Sequence, residues 1–117
     1  MKRFLLALTL LAASGCERPF FQLPIRDLNR PPSARIASPD SGTAGVPISF
    51  DATASFDPDR DDLVFAWNFG DSADGAGVVA EHTYLSEGIY EASLVVTDTH
   101  GAASTARHRV TIVSSQP

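Results

Sequence analysis

Leu63-Val64-Phe65-Ala66-Trp67-Asn68-Phe69-Gly70-Asp71-Ser72 reads as one strand that ends in one tight turn. Leu63, Phe65, Trp67 and Phe69 alternate with Val64, Ala66 and Asn68, the period of two expected of a strand with one strongly buried face. Trp67 is the only Trp of the chain, so the core is expected to be built against it. Gly70-Asp71-Ser72 then stops the strand, glycine supplying backbone freedom and aspartate a side chain that bonds nearby N–H groups.

Outward from this stretch, further strands are expected at regular spacing. Ala34 to Ala37 is a short first strand, and Pro39-Asp40-Ser41-Gly42 is a turn cluster. Val46 to Ala52 is a second strand with Ile48 and Phe50 inward, and Pro47 puts its start at an edge or a strand end. Thr53 to Asp62 is an acidic loop, and Ser72 to Gly77 a second turn cluster. Val78 to Tyr84 is a fourth strand. Ile89 to Asp98 is the longest, with Tyr90, Ala92, Leu94 and Val96 facing the core. Thr99-His100-Gly101 turns the chain into a last strand, Ala103 to Val113, with Val110 and Ile112 inward. Many short strands without a helical period predict an all-β, immunoglobulin-like sandwich of about seven strands over residues 33–114, followed by a frayed end at 115–117.

The residues around Trp67 resemble the Trp-Asp-Phe-Gly-Asp-Gly motif of the polycystic-kidney-disease (PKD) domain family. Upstream, Ser55-Phe56-Asp57-Pro58-Asp59-Arg60-Asp61 is similar to the family's Ser-x-Asp-Pro-Asp-Gly-Asp. Downstream stand His82-Thr83-Tyr84, Gly88-Ile89-Tyr90, Leu94-Val95-Val96-Thr97-Asp98 and Gly101. Asn68 replaces the family's Asp, and Ser72 and Arg60 stand where it has Gly. The resemblance covers residues 31–113 and implies a sandwich domain found mostly outside cells or on their surfaces. It makes Trp67, Phe69, Gly70, Asp71, Tyr84, Gly88 and Tyr90 structural residues.

Residues 1–15 have the pattern of a targeting segment: Lys2 and Arg3, then an apolar run from Phe4 to Ala13 that is short of the roughly 20 residues a spanning helix needs. Ala13-Ser14-Gly15-Cys16 resembles the lipobox of bacterial lipoproteins, with Ala13 in place of the usual Leu. That resemblance implies a diacylglycerol on the Cys16 thiol and further acylation of the freed amine. One chain anchors marginally, whereas two or three hold stably. The expected location is the cell envelope, lipid-anchored, the outer membrane being favoured over the inner one if the cell has both. In the lipoprotein family an Asp after the cysteine can retain the protein in the inner membrane, and Glu17 is a weak version of it, so the choice of membrane stays open. Residues 16–32 form a proline-rich tether, stiffened by Pro19, Pro24, Pro31 and Pro32. Its apolar Phe20, Phe21, Leu23, Ile25 and Leu28 either pack on the sandwich or lipid surface, or offer an epitope to a partner.

Composition narrows the function. A net charge of −5 and a pI of 4.9 leave no electrostatic footprint for nucleic acid. A single cysteine excludes an intramolecular disulfide. No serine sits in a nucleophile elbow, and His82, His100 and His108, the last on a strand expected at a sheet edge, lack metal-ligand spacing, so no enzyme is expected. Asp57, Asp59, Asp61 and Asp62 place hard oxygen donors along one loop, which suits calcium. The resemblance carries a calcium position onto Asp57, Asp59 and Asp98, with Asn29 or a neighbouring carbonyl completing the shell. The alternative is that these carboxylates only cap turns, with Arg60 substituting for a metal. The remaining chemistry is recognition. Val64, Ala66, Asn68, Glu91, Ser93 and Val95 point outward from the two strongest strands and form a candidate binding face. The leading reading is a non-catalytic module that binds an envelope protein or a polysaccharide. The alternative is a structural lipoprotein or spacer without a specific ligand.

Overall fold

The computed structural model describes residues 28–115, and the targeting segment, Cys16 and most of the tether lie outside them. Among the described residues there is no helix long and apolar enough to cross a membrane. Seven strands follow in order: β1 Ser41–Thr43, β2 Pro47–Asp51, β3 Val64–Asn68, β4 Asp74–Ala76, β5 Val79–Thr83, β6 Gly88–Thr97 and β7 Ala103–Val113. They form a five-stranded sheet in the order β1-β7-β6-β3-β4 and a two-stranded sheet, β2-β5. All pairings are antiparallel except β1 with β7. This is the all-β sandwich that the alternation of apolar residues predicts.

The core lies between the sheets. Ile48 and Phe50 from the small sheet meet Trp67, Phe69, Ala92, Leu94, Val96, Val110 and Ile112 from the large one. Trp67 is 2% exposed, and its Nε1–H donates to the Gly77 carbonyl at 2.9 Å, which satisfies the one polar atom it brings inside. Aromatic rings then run in sequence along the core. Phe50 tilts against Phe69 at 5.2 Å, Phe69 stacks on His82 at 4.3 Å, His82 meets Tyr84 edge-on at 4.5 Å, and Tyr84 stacks on Tyr90 at 4.3 Å. The buried Tyr84 hydroxyl donates to the Phe69 carbonyl at 2.8 Å, and burial pushes that hydroxyl's pKa up to about 12.

Four expectations change. Residues 34–37 are not a full strand: bridges at Ser33–Phe56 and Ala37–Asp51 tie this stretch to the neighbourhood of β2. Ser41 and Gly42, expected in a turn, start β1, because the chain crosses over to pair with the end of β7. Asp74 to Ala76, also expected in a turn, pair with Ala66 to Asn68 as a sheet edge. There Gly75 leaves room for the Phe69 ring, which would lie 3.0 Å from an added Cβ. His108 does not mark an edge, since β7 runs between β1 and β6, and its Nε2 reaches the Pro39 carbonyl at 3.1 Å.

Among the described residues, two other than glycine have positive φ, Arg60 at 64° and Ser72 at 76°. These are the positions at which the resemblance expects glycine, so the turn geometry is kept although the residue that suits it is not. Gly70, at φ 87°, is under a second constraint. A Cβ there would lie 2.6 Å from the Glu91 carbonyl oxygen.

Replacing Tyr84 with Phe removes the buried hydroxyl and leaves the Phe69 carbonyl unsatisfied. A loss of about 1–3 kcal/mol of unfolding free energy is expected by denaturant titration, with little change in the slope.

Candidate functional site

Two regions carry the side chains singled out from sequence. The first is the pole where the described chain begins. The acidic loop, the turn between β6 and β7 and residues 28–32 meet there. Asp57 is 8% exposed, and its Oδ1 accepts the backbone N–H groups of Asp59 and Asp61 at 2.7 and 3.4 Å. Asp98 is 5% exposed, and its Oδ1 accepts from the N–H groups of His100 and Ala102 at 2.8 and 3.0 Å. Its Oδ2 accepts from Asn29 Nδ2 at 2.8 Å. Turn capping therefore accounts for one oxygen of Asp57 and one of Asp98.

It does not account for the rest. Asp57 Oδ2 and Asn29 Oδ1 are buried with no hydrogen-bond partner among the described residues. Both atoms are acceptors only, and burying them unpaired costs desolvation energy with no return. Ligand atoms of Asp57, Asp59 and Asp61 lie within 4.8 Å of one another, and so do those of Asp61, Asp98 and His100. Asp61 belongs to both groups, and its Oδ2 is 3.0 Å from His100 Nδ1. A hard divalent cation fits the oxygen donors of this pole: it would be held within one of the two groups, with Asp61 common to both, and it would neutralise the crowded carboxylates and offer the orphaned acceptors a partner. The sequence-derived set of Asp57, Asp59, Asp98 and Asn29 thus comes together at one pole. Asp59 differs from the others in being fully engaged by Arg30.

Arg30, Asp61 and His100 complete the pole and were not in that set. Asp61 continues the alternation of Asp57 and Asp59, so its spacing held the signal. Arg30 lies 29 residues from Asp59, and nothing local to it points there.

Electrostatics follow the contacts. The backbone N–H of Arg30, then its guanidinium, hold the Asp59 carboxyl below its ordinary value of 3.8. The Asn29 amide, with the N–H groups of His100 and Ala102, does the same for Asp98 against the opposing effect of burial.

The second region is the outer face of the large sheet. Ala66 lies opposite Val95 and Asn68 opposite Ser93, while Val64 pairs with Thr97 and Glu91 with Arg109. The six predicted face residues are therefore neighbours on one surface. β4 and β7 extend it: Ala76 lies beside Ala66, Asp74 beside Asn68, Thr105 beside Val95 and Arg107 beside Ser93. Period-two alternation in the last strand already held Thr105, Arg107 and Arg109. Val64, 68% exposed, and Val95, 38% exposed, make one end apolar with Ala66 and Ala76. Asn68, Asp74, Ser93, Glu91, Arg107 and Arg109 make the other end polar. Asn68 also serves the turn, its Oδ1 accepting from the Gly70 N–H at 3.0 Å. Asp71 Oδ2 pairs with His82 Nε2 at 2.7 Å, so Asp71 and His82 belong to the frame of the turn.

A small two-sheet sandwich with loops gathered at its ends defines the class of immunoglobulin-like β-sandwich domains. Within that class the chain belongs to the PKD domain family, whose match runs over residues 29–112. It is 34% identical over 90 residues to Collagenase ColA of Clostridium perfringens, a stretch that covers 77% of this chain and 8% of the collagenase. It is 38% identical over 84 residues to a microbial collagenase of Vibrio alginolyticus, covering 72% of this chain and 10% of the relative. The chain thus corresponds to one small part of those relatives. Among solved structures it resembles the PKD1 domain of Vibrio anguillarum Epp, with TM-score 0.64 and 29% identity over 74% of this chain and 98% of that one. It also resembles a structure of carbohydrate-binding modules from the beta-sandwich super family, with TM-score 0.71 and 27% identity over 74% of this chain and 36% of that one.

The Asn29–Asp98 bond predicts a pH effect. A carboxyl held below 3.8 contributes stability that is present above that value and is lost as pH falls through the lower folded value. Asn29→Ala returns Asp98 toward its ordinary value. Melting temperature followed from pH 5 to pH 2 should differ between wild type and variant above pH 4 and converge at the acid end.

Proposed function

We propose that this protein is a non-catalytic binding module of the bacterial cell envelope, anchored by lipid at Cys16, that holds a polymer against the outer face of its five-stranded sheet. The observation that carries the reading is the face itself: six outward residues predicted from alternation are adjacent in the register, and half of the surface is apolar and half hydrogen-bonding. The family match and the likeness to a part of two collagenases support a role beside catalysis.

The chemistry of the face favours protein over sugar. Binding modules hold sugar rings largely by stacking them on exposed aromatic side chains, and this face has none. Trp67 and Tyr84 are 2% and 0% exposed. Small side chains flanked by Asn68, Ser93 and Arg107 suit an extended polypeptide, which brings backbone groups to hydrogen-bond and side chains to pack. The likeness to carbohydrate-binding modules favours polysaccharide as the second reading. A calcium ion at the pole formed by Asp57, Asp61, Asp98 and Asn29 is part of the proposal, in the role of a stabiliser that fixes the loops.

One experiment separates these roles. Wild type, Val64→Arg with Asn68→Arg, and Cys16→Ser are expressed in bacteria, fractionated, and tested for co-sedimentation with insoluble fibrous protein and with insoluble polysaccharide. The double variant should remain with the membrane and lose about tenfold or more in capture, because it buries unpaired charge at the contact. Cys16→Ser should leave the membrane and keep capture. Equal capture by wild type and the double variant rejects the face. No capture of either polymer leaves the structural lipoprotein as the better account.

A further inference from the structure

Arg30 occupies the place at which a counter-charge competes with a cation. Its Nε and Nη2 donate to Asp59 Oδ1 at 2.9 and 2.7 Å, and its backbone N–H donates to Asp59 Oδ2 at 2.7 Å. Nη2 also reaches the Pro58 carbonyl at 3.0 Å. Four donor contacts from one residue therefore engage both oxygens of Asp59 and the residue before it. The fork of a guanidinium matches a carboxylate in a way that an ammonium does not, so this pairing is specific to arginine.

The other donors of the pole are in a different state. Asp57, 8% exposed, keeps Oδ2 without a partner among the described residues, and Asn29 keeps Oδ1 without one there. Asp59 lies in the same cluster as Asp57 and Asp61, close enough to share an ion with them, yet it is the one whose charge is already matched. Asn29 and Arg30 are adjacent. One step of chain supplies both a donor that a cation needs and a competitor for a second donor. Nor does the fold need this pair: the Arg30 side chain is 63% exposed, and exposed ion pairs add little to stability.

We propose that Arg30 sets the calcium affinity of this pole by withholding Asp59 from the ion. The inference rests on the calcium reading of the site. With Arg30 in place, an ion at the Asp57, Asp59 and Asp61 group meets Asp57 and Asp61 as unmatched carboxylates, Asp59 being paired. Without Arg30, Asp59 becomes a further free carboxylate, and the net charge of the pole falls by one unit. Affinity at oxygen sites follows the count of charged ligands, so arginine at this position tunes the site toward weak binding.

The test is calorimetric titration of calcium chloride into wild type, Arg30→Gln, and Arg30→Gln combined with Asp59→Asn, with melting temperature in calcium and in chelator as a second readout. Arg30→Gln should bind about tenfold more tightly, as expected for gaining one charge a few ångströms from the ion. Adding Asp59→Asn should return the affinity to the wild-type value, because the gain acts through that carboxylate. Arg30→Lys, which keeps the charge and loses the fork, should fall between wild type and Arg30→Gln. In wild type the Nε–H resonance of Arg30 should move on calcium saturation. Binding by Arg30→Gln that is unchanged or weaker overturns the proposal, and so does a gain that survives Asp59→Asn. Equal binding by all variants overturns this proposal alone. Calcium binding by none of them, in heat or in melting temperature, overturns the calcium reading and the proposal together.

Discussion

The hydrogen bond from Tyr84 to the Phe69 carbonyl joins the two sheets at the point where each would otherwise end in loop. Phe69 follows β3 of the large sheet, and Tyr84 follows β5 of the small one. Neither polar atom could be left buried and alone without cost. Around this bond the rings of Phe50, Phe69, His82 and Tyr84 stack or tilt at 4.3–5.2 Å, so the same contact that closes the backbone also aligns the core. Asp71 extends it by holding His82 from outside. The turn after Trp67, the His-Thr-Tyr segment and the aromatic core are one unit, which is why they occur together in the sequence.

That unit was legible because each part had a local signal. Alternation around Trp67 gave the face, Gly70 the turn, and the long strand at 88–97 repeated the same parity. Elements that form only through a distant partner were not legible. β1 is a strand because the end of β7 lies beside it, and its own Ser-Gly-Thr reads as turn. β4 contains Gly75 and sits in a glycine-rich stretch, yet it pairs onto β3 because the Phe69 ring needs the space that glycine leaves. Arg60 and Ser72 lie in segments whose loop and turn character was legible, but their backbone conformation was not. The residues are unsuited to a left-handed turn, and the surrounding hydrogen bonds impose it nonetheless.

At the acidic pole the sequence supplied the carboxylates but not their states. Spacing of two along the loop brings Asp57, Asp59 and Asp61 together, and the structure joins them to Asp98 through Asp61. The caps on Asp57 and Asp98 are local, two and four residues along the chain, but the pairing of Asp59 with Arg30 and of Asp98 with Asn29 depends on contacts spanning 29 and 69 residues. Local pattern therefore located the site, and only the tertiary arrangement assigns the roles within it. The sheet face behaves differently. Its membership follows from parity alone, and the register adds only the rows in which the residues lie.

The parallel pairing of β1 with β7 bears on mechanics. Asn29 is held at the pole where β6 ends, and Val113 lies at the opposite pole, beside Thr43. A pull applied to the two ends of the domain runs along the strands, not across them. Ser41, Gly42 and Thr43 would be drawn one way and Thr111, Ile112 and Val113 the other, so the bonds between them carry the load together in shear instead of opening one at a time. Resistance to such a pull is a matter of unfolding rate and not of equilibrium stability. A three-residue strand that adds little to the core by area thus governs how long the domain withstands tension.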